Sequence, residues 1–158
     1  MTVIYLPFND CSKELQASAC SYVNTCLFGT YDTKNITVAS IHQKVVGILV
    51  YGEPTRYYKS IAGERSVYLL HIKVNEECRR QGIATSLVKE TLQRLNSLNL
   101  FIEVKLPKEG TSEMCAFIGS LKNVRPLQSY CLEKETYMRY IVENESDDTR
   151  GGGKAASP

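Results

Sequence analysis

The sequence predicts an α/β chain of the α+β kind, a single domain in which about seven strands alternate with about three helices. The strongest sign is a change of period inside one stretch, Val67–Thr91. Val67–Val74 is apolar and rich in β-branched and aromatic residues, broken only by His71 and Lys73, as in a strand covered on at least one face. Asn75–Arg80 is polar and charged, and from Gly82 the apolar residues Ile83, Leu87, Val88, Leu92 and Leu95 share one helical face. A second sign is size: 158 residues, 43% hydrophobic and 23% charged, suit one globular domain with a substantial core.

The other elements follow in order. Thr2–Pro7 reads as a first strand, stopped by Pro7 and the turn-forming Asn9-Asp10. Leu15, Ala19, Tyr22, Val23, Cys26 and Leu27 recur at helical spacing, with Gly29 placed to cap that helix. Ile36–His42 and Val45–Tyr51 form a hairpin about a polar turn at Gln43-Lys44. Gly52–Glu64 reads as a loop of about thirteen residues, long enough to suggest a function. Its Tyr57 and Tyr58 either line a groove or pack against their own domain. Leu98–Leu106 is another strand, ended by Pro107 and Gly110. Thr111 then caps a short helix through Lys122 that buries Met114, Phe117, Ile118 and Leu121, and strands near Leu127–Leu132 and Thr136–Val142 close the domain. Acidic and then Gly/Ala/Ser-rich residues without periodicity make 143–158 a disordered tail, which leaves residues 1–142 as the domain.

Composition narrows the function. A net charge of +2 argues against an extended nucleic-acid surface. No apolar run approaches the ~20 residues that span a bilayer, and no secretory leader is evident. Six cysteines stand at 11, 20, 26, 78, 115 and 131 without a CxxC pair, and His42 and His71 are not at ligand spacing with them. They read as reduced thiols, mostly core fillers, of a cytoplasmic protein without a metal site.

The basic turn carries the chemistry. Gly82 and Ala84 open a helix with unobstructed backbone N–H groups, the helix start adds roughly half a positive charge, and Arg79 and Arg80 lie beside it. Such a turn is built to hold an anion. Gly82 lacks the glycine partners of a dinucleotide fingerprint, and in the tail no hydroxyl follows Lys154 to complete a nucleotide loop at Gly151–Lys154. Arg79-x-x-Gly82-x-Ala84, directly after a strand, resembles the pyrophosphate signature of the GNAT superfamily of acyl-CoA N-acyltransferases, and the element order resembles that fold from about Thr2 to Val142. The resemblance implies a mixed, mostly antiparallel sheet with a splayed strand pair, and acetyl-CoA (coenzyme A) as cofactor. It implies that Arg79, Arg80, Gln81, Gly82, Ile83, Ala84 and Thr85 hold the pyrophosphate, with Ile72 and Val74 along the pantetheine arm. It further implies an amine acceptor and a monomer or homodimer, with no nucleic-acid or membrane partner.

Acetyl transfer to an amine needs a held thioester, a deprotonated amine and a donor for the departing thiolate. Tyr68 and Glu103 stand where N-terminal amine acetyltransferases of this superfamily have a cooperating tyrosine and histidine. Glu103 would serve as base if burial raised its pKa, and Tyr68 would orient the amine or a water. On the residues alone, an exposed Glu103 and a core Tyr68 are equally open readings. His71, of opposite parity to Tyr68, faces away from it, and Cys115 reads as core. The tyrosine that protonates the thiolate in many members aligns with Gly119 here; either Tyr130, Ser120 or water takes that task, or the alignment is offset by a few residues, or catalysis is weak. Two functions stand: an acetyl-CoA-dependent N-acetyltransferase for a primary amine (small molecule, polyamine or protein amine), and a domain without turnover that binds coenzyme A or a protein partner.

Overall fold

The computed structural model describes residues 2–24 and 31–144, so the expected helical positions Cys26 and Leu27, the cap at Gly29 and the tail from 145 onward lie outside the described residues. The elements are β1 (Ile4–Pro7), α1 (Lys13–Asn24), β2 (Ile36–Ile41), β3 (Lys44–Gly52), α2 (Arg56–Ala62), β4 (Ser66–Val74), α3 (Ile83–Leu95), β5 (Asn99–Lys105), α4 (Glu113–Ser120), β6 (Val124–Leu132) and β7 (Glu135–Val142). Strand neighbours run β1-β2-β3-β4-β5-β7-β6 in a seven-stranded sheet. The pairs β1/β2, β2/β3, β5/β7 and β6/β7 are antiparallel, and β4/β5 is parallel. The chain forms two compact units, the first made of Met1–Gly52 and Leu69–Thr91, the second of Glu53–Tyr68 and the chain from Leu92 on. No described helix is long and apolar enough to cross a membrane.

In the first unit α1 buries Leu15, Ala19 and Val23 against Ile36, Val38, Ile48 and Val50 of the β2–β3 hairpin. Each such aliphatic side chain contributes about 1.5–3 kcal/mol by leaving water. Ser12 starts the helix by accepting a hydrogen bond from Leu15 N at 3.2 Å. The hairpin turn lies one residue earlier than expected, at His42-Gln43, and Lys44 already pairs with Ile41. Both turn residues are left-handed, φ 49° and 65°, as a two-residue turn matched to strand twist requires. Without an Asn-Gly pair to mark it, that position could not be read from the sequence. Gly47 is fixed by packing: a Cβ there would stand 3.1 Å from Lys73 O and 3.3 Å from the Leu87 side chain. The Thr37 and Thr91 hydroxyls, both buried, satisfy each other at 2.7 Å.

In the second unit β5 and β7 pair from Leu100↔Val142 to Lys105↔Tyr137, and β6 pairs along the other edge of β7. The parallel β4/β5 ladder holds three pairs, Ser66↔Asn99, Val67↔Leu100 and Tyr68↔Phe101, short for strands of nine and seven residues. The expected loop at Gly52–Glu64 instead contains α2, capped by the Thr55 hydroxyl, which accepts from Tyr58 N at 3.2 Å. Seven helical residues are too few to display a 3.6-residue period. The α4 cap is Ser112 rather than Thr111, accepting from Cys115 N at 3.1 Å. Ile118 and Leu121 are buried there, while Met114 and Phe117 are only half-buried. Among the described cysteines Cys11 alone is buried, so the core role expected of the thiols holds for that one, and Cys115 is half-buried.

At Asn144 the chain is still tied down. Asn144 is 2% exposed, and its Nδ2 donates to Leu92 O at 2.8 Å and Leu98 O at 2.9 Å while its backbone N–H reaches Asn99 Oδ1. Asn144→Ala strands those two carbonyls and should lower stability by about 1–3 kcal/mol. The check is the denaturant midpoint at constant m-value; an unmoved midpoint would show that these bonds contribute nothing net.

Candidate active site

Two groups of residues, one in each unit, hold the side chains singled out by the sequence. In the first unit, Asn75 ends β4. Its backbone N–H donates to Val46 O at 2.8 Å, its Nδ2 to Val45 O at 3.4 Å, and its Oδ1 accepts from Tyr22 Oη at 2.7 Å. A single 3-10 turn, Glu76–Cys78, follows. Arg79 Nε then bonds back to Val74 O at 3.2 Å, and Arg80 and Gly82 turn the chain through left-handed φ values of 65° and 75°. Gly82 O accepts the first helical bond, from Ser86 N at 3.0 Å. The N–H groups of Ile83, Ala84 and Thr85 therefore open α3 with no acceptor inside the helix.

Ile83, 1% exposed, anchors this helix start, while Arg79, Arg80, Gln81, Gly82 and Thr85 are exposed and Ala84 is half-buried. A Cβ on Gly82 would meet nothing within 4 Å, so the space in front of the turn is open. Backbone donors, a helix N-terminus and two guanidinium groups around open space fit a diphosphate. Of the two strand positions expected beside the pantetheine, Ile72 is half-buried, and Val74 is buried with its carbonyl engaged by Arg79.

In the second unit the group is built by strand register. Arg139 on β7 stands opposite Glu103 on β5 and Gln128 on β6, the latter brought into line by a register shift at Pro126/Gln128. Arg139 is 4% exposed; its Nε donates to Glu103 Oε2 at 2.8 Å, and its Nη1 to Gln128 Oε1 at 2.8 Å and to Tyr57 Oη at 3.4 Å. Its guanidinium also lies over three rings, 4.1 Å from the centroid of Tyr130, 5.3 Å from Tyr58 and 5.4 Å from Tyr57. Tyr68 stacks on Phe101 at 5.4 Å, and Tyr58 packs against both.

These surroundings set the protonation states. Burial, followed by the charge of Glu103, pushes the Tyr68 phenol up to about 12. Burial and then a hydrogen bond to Glu103 raise Tyr130 as well. Burial pulls the Arg139 pKa down, but the bonds to Glu103 and Tyr57 and the Glu103 charge outweigh it and leave the net shift upward. At neutral pH the group therefore offers the protonated phenols of Tyr68 and Tyr130 beside the Arg139–Glu103 ion pair.

The structure thus brings Tyr68, Glu103 and Tyr130 together, with two corrections. Glu103 is neither an exposed strand residue nor a lone buried carboxylate, because Arg139 holds its Oε2, and Tyr68 is half-buried rather than core. Tyr58 packs within the unit, whereas Tyr57 is 60% exposed. Ser120, an alternative proton source, spends its hydroxyl on Phe117 O at 2.6 Å. His71 is half-buried; burial and then Lys73 lower its pKa, and its Nε2 is closed off without a hydrogen bond. Arg139 was missed, though a cation among Met138, Tyr140 and Ile141 in an otherwise apolar strand is a sign that a partner must exist.

Because the folded Tyr68 binds its proton more tightly than the unfolded chain does, its contribution to stability is complete below pH 10 and is lost as pH rises toward 12. Stability should fall across that window, and Tyr68→Phe should flatten the fall. A tyrosinate difference spectrum with ordinary ionisation near 10 would contradict the assigned environment. The ion pair supplies a separate test: Arg139→Met should cost about 3–5 kcal/mol by leaving Glu103 without its cation, and a Glu103→Met/Arg139→Met double variant should regain most of it. Additive losses in that cycle would mean the two side chains are not coupled.

Comparison with known proteins places this architecture. A family model described as the acetyltransferase (GNAT) family matches residues 6–114. No curated protein sequence matches the chain. Among solved structures, a GNAT-family acetyltransferase from Bacillus cereus ATCC 10987 superimposes with a TM-score of 0.62 at 12% identity, over 91% of this chain and 99% of that one. The ribosomal-protein-S18-alanine N-acetyltransferase of Escherichia coli gives 0.59 at 12% identity, over 90% of this chain and 94% of that one. A Bacillus anthracis protein named for streptothricin acetylation, solved in complex with acetyl coenzyme A, gives 0.53 at 15% identity over 68% and 61%. Such identities speak for the fold alone, but the family model spans well over half of the chain: it belongs to the GNAT acetyltransferase family.

Proposed function

We propose that the chain is an acetyl-CoA-dependent N-acetyltransferase that modifies a primary amine by direct attack in a ternary complex. The observation that carries the reading is Gly82, left-handed and without a side chain at the start of α3, with Arg79 and Arg80 beside it in a member of this family. The N–H groups of Ile83, Ala84 and Thr85 and the two guanidinium groups would hold the cofactor's diphosphate. When bound, the cofactor supplies an acetyl group activated as a thioester.

The proton chemistry falls to Glu103, Tyr68 and Tyr130. Glu103, fixed through Oε2 by Arg139, accepts the proton of the incoming ammonium, directly or through a water. Tyr68 Oη, protonated at neutral pH, orients that amine. Tyr130 Oη, also protonated, gives up its bond to Glu103 to hydrogen-bond the departing sulfur, the task that Gly119 leaves open. Two observations favour a second reading, a domain that binds coenzyme A without turnover: Glu103 is committed to Arg139, and Gly119 is exposed with nothing within 4 Å.

Calorimetry and thiol release separate the two readings. Gly82→Gln should abolish binding of acetyl-CoA, and Arg79→Ala should weaken it by about 1.5–3 kcal/mol, the scale of a charge-assisted hydrogen bond. ATP should not replace acetyl-CoA. Glu103→Gln should bind the cofactor as the parent does but turn over more slowly. Unchanged affinity in Gly82→Gln removes the cofactor assignment; binding without thiol release from any amine selects the second reading.

A further inference from the structure

Arg139 has a donor to spare, and we propose that it selects the acceptor: an amine that also carries a carboxylate, as a free amino acid does, in preference to a plain amine or a polyamine. The proposal rests on the acetyltransferase reading and adds the substrate class. Nε of Arg139 is engaged by Glu103 and Nη1 by Gln128 and Tyr57, whereas Nη2 donates to nothing among the described residues. Among those residues His71 Nε2 is the side-chain nitrogen or oxygen closed off from solvent without a hydrogen bond. Arg139 Nη2 therefore keeps contact with solvent, although the residue as a whole is 4% exposed. What remains is the Nη2 donor of an immobilised guanidinium, whose N–H can meet one carboxylate oxygen.

The charges and rings around Nη2 disfavour a cation beyond the reacting ammonium that Glu103 receives. Glu103 is the acidic side chain in this group, and its Oε2 is already taken. The rings that would attract an ammonium, Tyr57, Tyr58 and Tyr130, already face the guanidinium at 5.4, 5.3 and 4.1 Å. A carboxylate finds the opposite: an outward-facing N–H donor in a partly desolvated setting, where such bonds are stronger than in water. The exposed ring of Tyr57 offers apolar surface for the rest of such a substrate.

The test uses acceptors matched except for the carboxylate: phenylalanine with phenethylamine, and lysine with cadaverine. Thiol release from acetyl-CoA should give a kcat/KM at least about tenfold higher for the amino acid of each pair, the scale of one charge-assisted bond. Arg139→Lys keeps a cation beside Glu103 but removes the Nη2 donor, and it should bring each ratio close to one with acetyl-CoA affinity unchanged. A second measurement does not depend on that buried substitution. Ligand-observed NMR on the wild-type protein should detect N-acetylphenylalanine and not N-acetylphenethylamine. Equal or higher kcat/KM for the plain amines, or a ratio that survives in folded Arg139→Lys, overturns the proposal and leaves the acetyltransferase standing. Acetyl-CoA binding with no thiol release from any amino acid or amine overturns both.

Discussion

A guanidinium that is 4% exposed cannot stand alone, and most of the second unit follows from supplying its partners. An isolated buried ion costs many kcal/mol, so the charge must be met where it lies. β5 contributes Glu103, β6 contributes Gln128 and the ring of Tyr130, and α2 contributes Tyr57 and Tyr58. Register is the device that does this. A slip of β7 by one residue would carry Arg139 to the other face of the sheet and leave Glu103 unpaired, so the ion pair and the alignment of three strands enforce each other. The register shift at Pro126/Gln128 belongs to the same arrangement, since it sets Gln128 rather than Leu127 opposite Arg139.

The first unit solves a different problem with backbone rather than side chains. A turn that presents several N–H groups to one anion must leave them unpaired within the protein, and it must be held in that shape by something else. Asn75 does the holding, tied to Val45, Val46 and Tyr22, while the buried Ile83 fixes the other end. Between these anchors Arg80 accepts an unfavourable φ of 65°, a conformation that costs a non-glycine residue about 1 kcal/mol or more. Strain at that point beside open space is consistent with a turn shaped for a ligand rather than for its own packing.

What was legible in the sequence divides along the same line. Strands and long helices show themselves through local period, so β4, α3 and the faces they bury could be read from Val67–Leu95 alone. The turn was legible because Arg79, Gly82 and Ala84 are contiguous. By contrast, Arg139, Glu103, Gln128 and Tyr57 come from four segments up to 82 residues apart, and only register joins them. Glu103 could be named as a candidate, but its commitment to a cation could not. The hairpin turn at His42-Gln43 and the helix at Arg56–Ala62 were missed for a local reason, because neither carries the glycine pattern or the length that makes such elements recognisable.

The protonation of the phenols limits what each can do in the proposed reaction. A coenzyme A thiolate has the basicity of an ordinary thiol, near 8.5, so a phenol pushed up to about 12 would give it a proton strongly uphill. In that reaction Tyr68 would serve as a hydrogen-bond donor and not as a proton source. Tyr130 is shifted in the same direction and is suited to stabilising the sulfur by a bond rather than by full transfer. The thiolate would then take its proton from water, and Glu103 would be the group in this cluster that accepts the amine's proton. Pairing with Arg139 leaves Glu103 Oε2 committed and directs incoming donors to its other oxygen, so the ion pair that organises the unit also limits the directions from which a substrate ammonium can approach.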